Sequence, residues 1–203
     1  MPTSPPIDEA DRDLLAAVHR SLSQAEAACA DRLDYGRGCP RCCYGPFAIN
    51  ALDAHRLRRG LAELHARDSQ RARAIVRRAR RSAALFAEAF PGVAGRLDED
   101  DGAVEAFCAR FAAEPCPALD TASGRCDLYE SRPLPCRMFG PPVRIGDEEL
   151  EPCAWCFSGS TDEARLAKAV VDPERREDPI LDRLEADGAW GETVIAFALA
   201  DGP

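Results

Sequence analysis

The fold depends on an irregular stretch at residues 116–137, which reads CPALDTASGRCDLYESRPLPCR. It carries Cys116, Cys126 and Cys136 among prolines and a glycine, and its apolar residues follow neither helical nor strand periodicity. A segment this irregular buries little apolar surface by itself and needs a cross-link to hold one conformation. We therefore expect the cysteines of this segment to take part in a cross-link to another part of the chain.

Two further cysteine clusters flank this stretch. Upstream, GCPRCCYG occupies residues 38–45, and downstream the pair Cys153 and Cys156 has C-x-x-C spacing, as do Cys39 and Cys42. A C-x-x-C turn brings two sulfurs to the same side of the backbone, where both can bind one tetrahedral metal. Two such turns together with single cysteines predict a metal centre with about eight thiolate ligands. The predicted ligands are Cys39, Cys42, Cys43, Cys116, Cys126, Cys136, Cys153 and Cys156.

The adjacent pair Cys42 and Cys43 bears on how many metals are bound. Successive side chains on an extended backbone point to opposite faces, so we expect Cys43 to face a different metal from Cys42. Eight thiolates fit two four-thiolate sites, or one iron-sulfur cluster with a second site. Thiolate ligation selects soft or borderline metals, and we favour an iron-sulfur cluster over zinc. The histidines, His19, His55 and His65, lie in predicted helices away from the motifs and are not expected to be ligands.

Chain length and amino-terminal sequence indicate where such thiols would stay reduced. At 203 residues the chain can bury a core without disulfides, and we predict a single domain over 1–203 with a Cys-rich core at 36–157. The amino terminus lacks the basic and apolar regions of a signal peptide, and the longest apolar run, Val194 to Ala200, is too short to span a membrane. We therefore expect a cytoplasmic protein whose ten cysteines are metal ligands before they are disulfides.

The charge of the chain disfavours nucleic acid as a partner. The formal net charge is −9, which opposes non-specific attraction to phosphate backbones. One basic stretch, residues 71–81, carries six arginines, and we interpret it as a solvated helix face paired with acidic neighbours. We expect no membrane partner, while an unknown protein partner stays open.

Apolar periodicity predicts a mainly α fold of amphipathic helices, with an irregular Cys-rich segment and at most a short β-hairpin. The predicted helices cover residues 7–33, 51–67, 69–90, 103–113, 160–171 and 174–186, and the predicted short strands lie around 126–129 and 143–150. Asn50 is the predicted N-cap of the second helix, with Asp53 completing a capping box. Residues 192–200 are compatible with strand or helix. Cys29 and Cys108 lie on apolar helix stripes and are predicted to be core residues.

A metal held by thiolates alone needs counter-charge. A four-thiolate zinc or [4Fe–4S] site carries a net charge of about −2, which must be screened or hydrogen-bonded when partly buried. Several arginines lie close in sequence to the predicted ligands, and we expect some of them to supply that charge: Arg37, Arg41, Arg125, Arg132, Arg137 and Arg144.

The motifs CDLYESRPLPCR at residues 126–137 and CPRCC at residues 39–43 resemble the YkgJ-type cysteine-cluster family, also described as zinc- or iron-chelating. The resemblance covers about residues 36–157 and implies metal binding. The family pattern opens C-x-x-C-x-x-C-C, but its first position is Gly36 here. Either the site has one ligand fewer, or Cys153 and Cys156 make up the shortfall, which we favour.

Three functions fit this pattern. The first is a binding or electron-transfer module that holds an iron-sulfur cluster, and the second is a structural zinc protein whose surface serves a partner. The third is an enzyme, since the family includes a flagellin lysine N-methylase, so a methylase or an oxidoreductase is implied. The sequence contains no evident catalytic set and no glycine-rich nucleotide loop. Whether the chain is an enzyme therefore stays open at this point.

Overall fold

The computed structural model describes residues 6–33, 39–153, 157–158, 169–172, 175–189 and 191–202. Its elements are mainly helical, which confirms the predicted fold class. The helices are α1 (Ile7–Ala28), α2 (Ala51–Arg67), α3 (Ser69–Phe86), α4 (Asp101–Arg110), α5 (Leu134–Met138), α6 (Asp178–Ala186) and α7 (Ile195–Ala200). Single 3-10 turns occupy Ala30–Arg32, Arg41–Cys43 and Tyr129–Ser131. Across the described ranges, every helix is too short or too polar to cross a membrane.

The strands are short but more numerous than the single hairpin predicted. They are β1 (Gly92–Val93), β2 (Arg96–Leu97), β3 (Leu119–Asp120), β4 (Arg125–Cys126), β5 (Val143–Ile145), β6 (Glu148–Leu150) and β7 (Ala169–Val171). β1 pairs with β2 and β3 with β4, both antiparallel, while β5 lies between antiparallel β6 and parallel β7. Two-residue strands leave no alternating pattern in the sequence, which is why β1, β2 and β3 were not predicted. The strand predicted around 126–129 overlaps the observed β4 only at Cys126.

The predicted helix over 160–171 is wrong at its carboxyl end. Ala169–Val171 forms strand β7, in which Val143 of β5 pairs with Ala169. Two consecutive valines, Val170 and Val171, favour an extended backbone, and a neighbouring strand was available to pair with them. The remaining part of that helix prediction, residues 160–168, lies outside the described residues.

Contacts divide the chain into two compact units. The first comprises residues 1–36 and 138–187, and the second comprises residues 37–137 and 188–203. A single domain over 1–203 therefore stays a prediction. In the first unit, α1 packs against β7 and α6 through the buried face that includes Leu14.

The second unit contains the helical core that supports the Cys-rich segment. Helices α2, α3 and α7 pack on one another through buried apolar side chains, including Leu57, Ile75 and Leu199. Helix α4 contributes Phe107 to an aromatic cluster. Its ring lies edge to face with that of Phe86, with the two ring centroids 5.4 Å apart. Residues 195–200 are helical because their buried apolar face completes this core, which settles the ambiguity in the sequence.

Helix ends differ from the predicted ones by a few residues. α1 ends at Ala28 and continues as a 3-10 turn, α3 ends at Phe86, and α4 begins at Asp101. The Asn50 cap is confirmed, because its Oδ1 accepts from the Asp53 N–H at 2.9 Å.

Both cysteines that were assigned to helix stripes lie on apolar faces. Cys29 is buried, and its Sγ donates a hydrogen bond to the Ala25 carbonyl at 2.9 Å. Cys108 is half-buried and packs against the cluster that contains Phe107. The prediction that these two thiols are core residues is confirmed.

Candidate metal centre

Six of the eight predicted ligands line one cavity of about 300 Å³ in the second unit. They are Cys39, Cys42, Cys43, Cys116, Cys126 and Cys136. The two remaining predicted ligands are placed differently: Cys153 belongs to the first unit, and Cys156 lies outside the described residues. The structure thus brings together thiols that are separated by up to about a hundred residues in the chain.

The turn that carries the first thiols does not have the extended backbone assumed above. Residues Arg41–Cys43 form a 3-10 turn, in which the Cys43 N–H donates to the Pro40 carbonyl at 2.9 Å. Cys42 and Cys43 therefore both face the cavity, and their thiols are hydrogen-bonded to each other. The prediction that the adjacent pair faces two different metals assumed an extended backbone, which this turn does not have. Which metal each of the two thiols binds therefore stays a prediction.

Backbone hydrogen bonds fix this turn to the start of the irregular stretch. The Cys116 N–H donates to the Cys43 carbonyl at 2.8 Å, and the Gly45 N–H donates to the Glu114 carbonyl at 2.8 Å. Gly45 has φ +83°, a conformation that glycine adopts without steric cost. This antiparallel backbone contact places Cys116 beside Cys43.

The β3–β4 hairpin positions the next thiol. Cys126 lies on β4 opposite Leu119, whose N–H donates to the Cys116 carbonyl at 2.9 Å. The hairpin turns at Gly124, which has φ +69°. A short turn and one hydrogen bond therefore link Cys116 to Cys126.

Cys136 is carried by α5, whose first turn is held by a buried carboxylate. Asp53 of α2 accepts from the Leu134 N–H at 2.7 Å and forms a buried ion pair with Arg56. The Asp53 carboxylate therefore bonds α5 and Arg56 in addition to its place in the first turn of α2. The sequence showed a cap here and missed that the same residue anchors a cysteine-bearing helix.

A second carboxylate that the sequence analysis missed lies beside Cys126. The Asp127 side chain is 2 % exposed and accepts from Arg71 Nε and Arg78 Nη2, both at 2.6 Å. Arg78 Nε also donates to the Pro117 carbonyl at 2.7 Å. The interpretation of the basic stretch as a helix face paired with acidic neighbours is confirmed for these two arginines. The adjacency of Asp127 to a predicted ligand was the one sequence signal for this contact.

Hydrogen bonding and burial give the cavity thiols different pKa values. The hydrogen bond from Cys43 lowers the pKa of Cys42 to about 6, and the same hydrogen bond raises the pKa of Cys43. Burial raises the pKa of Cys116 to about 12 and also raises the pKa values of Cys126 and Cys136. Among these thiols, Cys42 therefore loses its proton most readily, and burial opposes loss of the proton from Cys116, Cys126 and Cys136.

Arg132 supplies positive charge to the cavity. It lines the wall, and its guanidinium carbon lies 3.8 Å from the centroid of the Tyr129 ring. Its charge favours the thiolate of Cys42 and opposes the larger effect of burial, which raises the pKa of Cys126. Its Nε is buried and lacks a hydrogen-bond partner in the part of the chain that the structure describes. A buried N–H donor without an acceptor costs free energy, so this atom fits an anionic group held by the thiols.

The other candidate counter-charges have different surroundings. Arg137 Nε donates to the Arg132 carbonyl at 3.2 Å, and Arg144 in the first unit donates to the Gly146 carbonyl at 3.3 Å. Arg125 lines the cavity and is exposed, while Arg37 lies outside the described residues. Arg132 is therefore the arginine whose position best matches the predicted counter-charge.

The thiols surround the cavity and do not converge on one point. Within the described ranges, no three cysteine, histidine or acidic side chains are arranged to hold a single ion. A tetrahedral zinc site with Zn–S bonds of about 2.3 Å needs its sulfurs about 3.8 Å apart. The donor chemistry of the cavity fits iron-sulfur or zinc.

Comparison with known proteins agrees with this donor set. Neither a curated protein nor a solved structure matches the chain significantly. A family model does match, over residues 35–156, and its description is "putative zinc- or iron-chelating domain". This match covers more than half of the chain and confirms the resemblance drawn from its motifs. The chain belongs to the CxxCxxCC family of cysteine-rich, metal-chelating domains.

Proposed function

We propose that this chain is an iron-sulfur protein that holds its cluster through the thiolates of the cavity. The observation that carries the proposal is the meeting of six cysteines around one volume of about 300 Å³. Pure sulfur donors select soft or borderline metals, and the family description names zinc and iron. The family description supports metal chelation by this domain, and the iron-sulfur cluster is the more specific part of the proposal.

Cavity size and donor spacing support a cluster over a single ion. A water molecule takes about 30 Å³ of liquid volume, so the cavity has room for far more than one metal ion. The donors of a polynuclear cluster bind different metal atoms and therefore stand further apart than those of one tetrahedral ion. The described thiols, which surround the cavity without converging, match the first arrangement better.

The chain's own residues would bind, screen and shield such a group. The cavity cysteines would bind it, and Arg132 would offset part of its negative charge, with the buried Nε–H available to a thiolate sulfur. Apolar side chains of the same wall, including Phe47, Leu57 and Ile195, limit the access of water. A bound cluster would supply one-electron redox chemistry, so the partner would be another redox protein.

The two downstream cysteines enter this proposal on their sequence spacing alone. Cys153 and Cys156 form a C-x-x-C pair, which we propose adds two thiolates to give the full set of eight. Free thiols at this density need a reducing compartment, so we propose a cytoplasmic location.

The second candidate is a structural zinc protein. The observation that favours it is the C-x-x-C spacing of Cys39 and Cys42, the usual arrangement of two zinc ligands. In such a site four of the cavity sulfurs would bind one ion, leaving the remaining volume to solvent.

Anaerobic purification distinguishes the two candidates. Iron and acid-labile sulfide in stoichiometric amounts, with the brown colour of a sulfide-bridged cluster, are expected. A colourless protein that contains zinc alone would overturn the cluster and leave the zinc site. A chain that binds neither metal would overturn the proposed function altogether.

A further inference from the structure

The basic stretch of α3 is not explained by metal binding alone. Among its six arginines, Arg71 and Arg78 reach the same carboxylate, that of Asp127. Their side chains are 47 % and 33 % exposed, whereas that of Asp127 is 2 % exposed. A nearly buried carboxylate keeps its charge only with strong partners, and two charge-assisted hydrogen bonds provide them.

This bridge lies between two predicted ligands. Asp127 directly follows Cys126, and its own N–H donates to the Ala118 carbonyl at 2.7 Å. Arg78 also contacts the backbone beside Cys116, since its Nε donates to the Pro117 carbonyl at 2.7 Å. One arginine of α3 thus holds the backbone beside Cys116 and the side chain beside Cys126.

The contacts join a regular element to an irregular one. α3 is an eighteen-residue helix whose apolar face is buried in the helical core. This packing fixes the backbone positions from which its arginine side chains extend. The segment that carries Cys116 and Cys126 has two-residue strands and little periodic structure of its own. Its position relative to the core therefore depends on side-chain contacts, and the bridge supplies three of them at 2.6 to 2.7 Å.

We propose that Arg71, Arg78 and Asp127 are positioning residues that set the relative placement of the Cys116 and Cys126 sulfurs and thereby the geometry and retention of the bound metal. The inference rests on the proposed metal binding, and it holds for iron or zinc. None of the three side chains is a ligand. They act through the backbone on either side of two ligands, as outer-shell groups do in other metal sites.

Cobalt(II) is a suitable probe, because its thiolate charge-transfer bands report sulfur geometry directly. We would load the full chain and the variants Asp127→Asn, Arg78→Gln and Arg71→Gln with Co²⁺, then record the spectrum and the rate of metal loss to a chelator. The matched control is Arg77→Gln, an exposed arginine on the same helix. Thermal unfolding of each metal-free chain measures stability separately.

Asp127→Asn and Arg78→Gln should shift the charge-transfer bands and weaken metal binding by about 10- to 100-fold, the usual cost of losing an outer-shell partner. Arg71→Gln should have a smaller effect because it leaves both contacts of Arg78, and Arg77→Gln should match the unchanged chain. Should Asp127→Asn fail to fold, the two arginine variants carry the test.

The outcomes separate this inference from the function on which it rests. If the unchanged chain binds Co²⁺ and the bridge variants keep its spectrum and release rate, the positioning role is wrong and the metal site stands. Faster release with an unchanged spectrum, in proportion to lost stability of the metal-free chain, would also overturn it. An unchanged chain that binds no metal would overturn both.

Discussion

At the scale of single residues, the cavity thiols differ in the state from which they would bind a metal. Cys42 has a pKa of about 6 because Cys43 donates a hydrogen bond to it, whereas burial raises the pKa values of Cys116, Cys126 and Cys136. A thiol must lose its proton to become a ligand. Metal binding to this cavity is therefore coupled to proton release.

Metal affinity should consequently rise with pH. Each thiol with a raised pKa is protonated in the metal-free chain near neutrality. Each proton that the metal displaces therefore changes the metal affinity about tenfold per pH unit. Chelator competition between about pH 6.5 and pH 8.5 should show a logarithmic slope steeper than one proton. Cys126→Ser removes one such proton and should flatten the slope. A pH-independent affinity would contradict the assignment of these buried thiols as ligands.

Single cysteine substitutions test the ligand set. Cys136→Ser and Cys42→Ser should lower metal content, because each removes a thiolate from the cavity. They should also remove thermal stabilisation by metal, which is worth about 3 kcal/mol at a concentration about a hundredfold above Kd. The control is Cys29→Ser, whose thiol is buried directly after α1 in the other unit and should leave metal content unchanged. Equal metal content in all three variants would rule out the cavity as the site.

Arg132 should affect the bound metal without being a ligand. Arg132→Gln removes a positive charge and the buried Nε–H, so metal binding should weaken by about 10- to 100-fold. In an iron-sulfur form, the reduction potential should become more negative, since the reduced cluster loses a stabilising charge. Arg125→Gln, which removes an exposed arginine of the same wall, is the control. Identical potentials for both variants would show that Arg132 does not face the cluster.

At the scale of secondary-structure elements, α2 supports the Cys-rich segment by close approach. Gly60 lies where α2 meets the 3-10 turn Tyr129–Ser131, and a Cβ at this position would come within 2.1 Å of Ser131 Oγ. This turn precedes the helix that carries Cys136. The absence of a side chain at one helical position therefore determines how near a cysteine-bearing element can come.

Gly60→Ala should push this turn away from α2. Overpacking of this kind typically costs about 1 to 3 kcal/mol, and metal content should fall with stability. Ser131→Gly removes both atoms in the way, Oγ at 2.1 Å and Cβ at 2.3 Å, and should restore stability in the double variant. Denaturant unfolding of the metal-free and metal-loaded chains measures both effects.

The control for this substitution is Gly102→Ala near the start of α4. There the nearest atom to a new Cβ is Asp100 Oδ1 at 3.4 Å, so alanine fits. Stability should be unchanged or raised by up to about 1 kcal/mol, because alanine loses less conformational freedom than glycine in a helix. Equal destabilisation at both positions would mean that close approach at Gly60 is not the cause.

At the scale of the whole molecule, the sequence predicted what depends on local pattern. The apolar period and the Asn50 cap placed α2 at Ala51–Arg67, which is the observed range. The same reasoning placed Cys29 in the core and Cys108 on an apolar helix face. These features follow from neighbours within a few residues of one another along the chain.

The errors arose where distant segments decide the structure. The Asp127 contacts with Arg71 and Arg78 join residues 56 and 49 positions apart, and no periodicity records them. The parallel pairing of β7 with β5 likewise turned a predicted helix end into a strand. Cys42 and Cys43 share a cavity because a 3-10 turn replaces the extended backbone that alternation assumes.

The central claim is that the cavity thiolates hold a polynuclear iron group. X-ray absorption at the iron edge of the anaerobically purified full chain tests it most directly, because it reports both the ligand atoms and any second metal nearby. We predict a first shell of sulfur alone and a clear iron–iron scattering contribution. A shell of oxygen or nitrogen, or iron with no metal neighbour, would contradict the account.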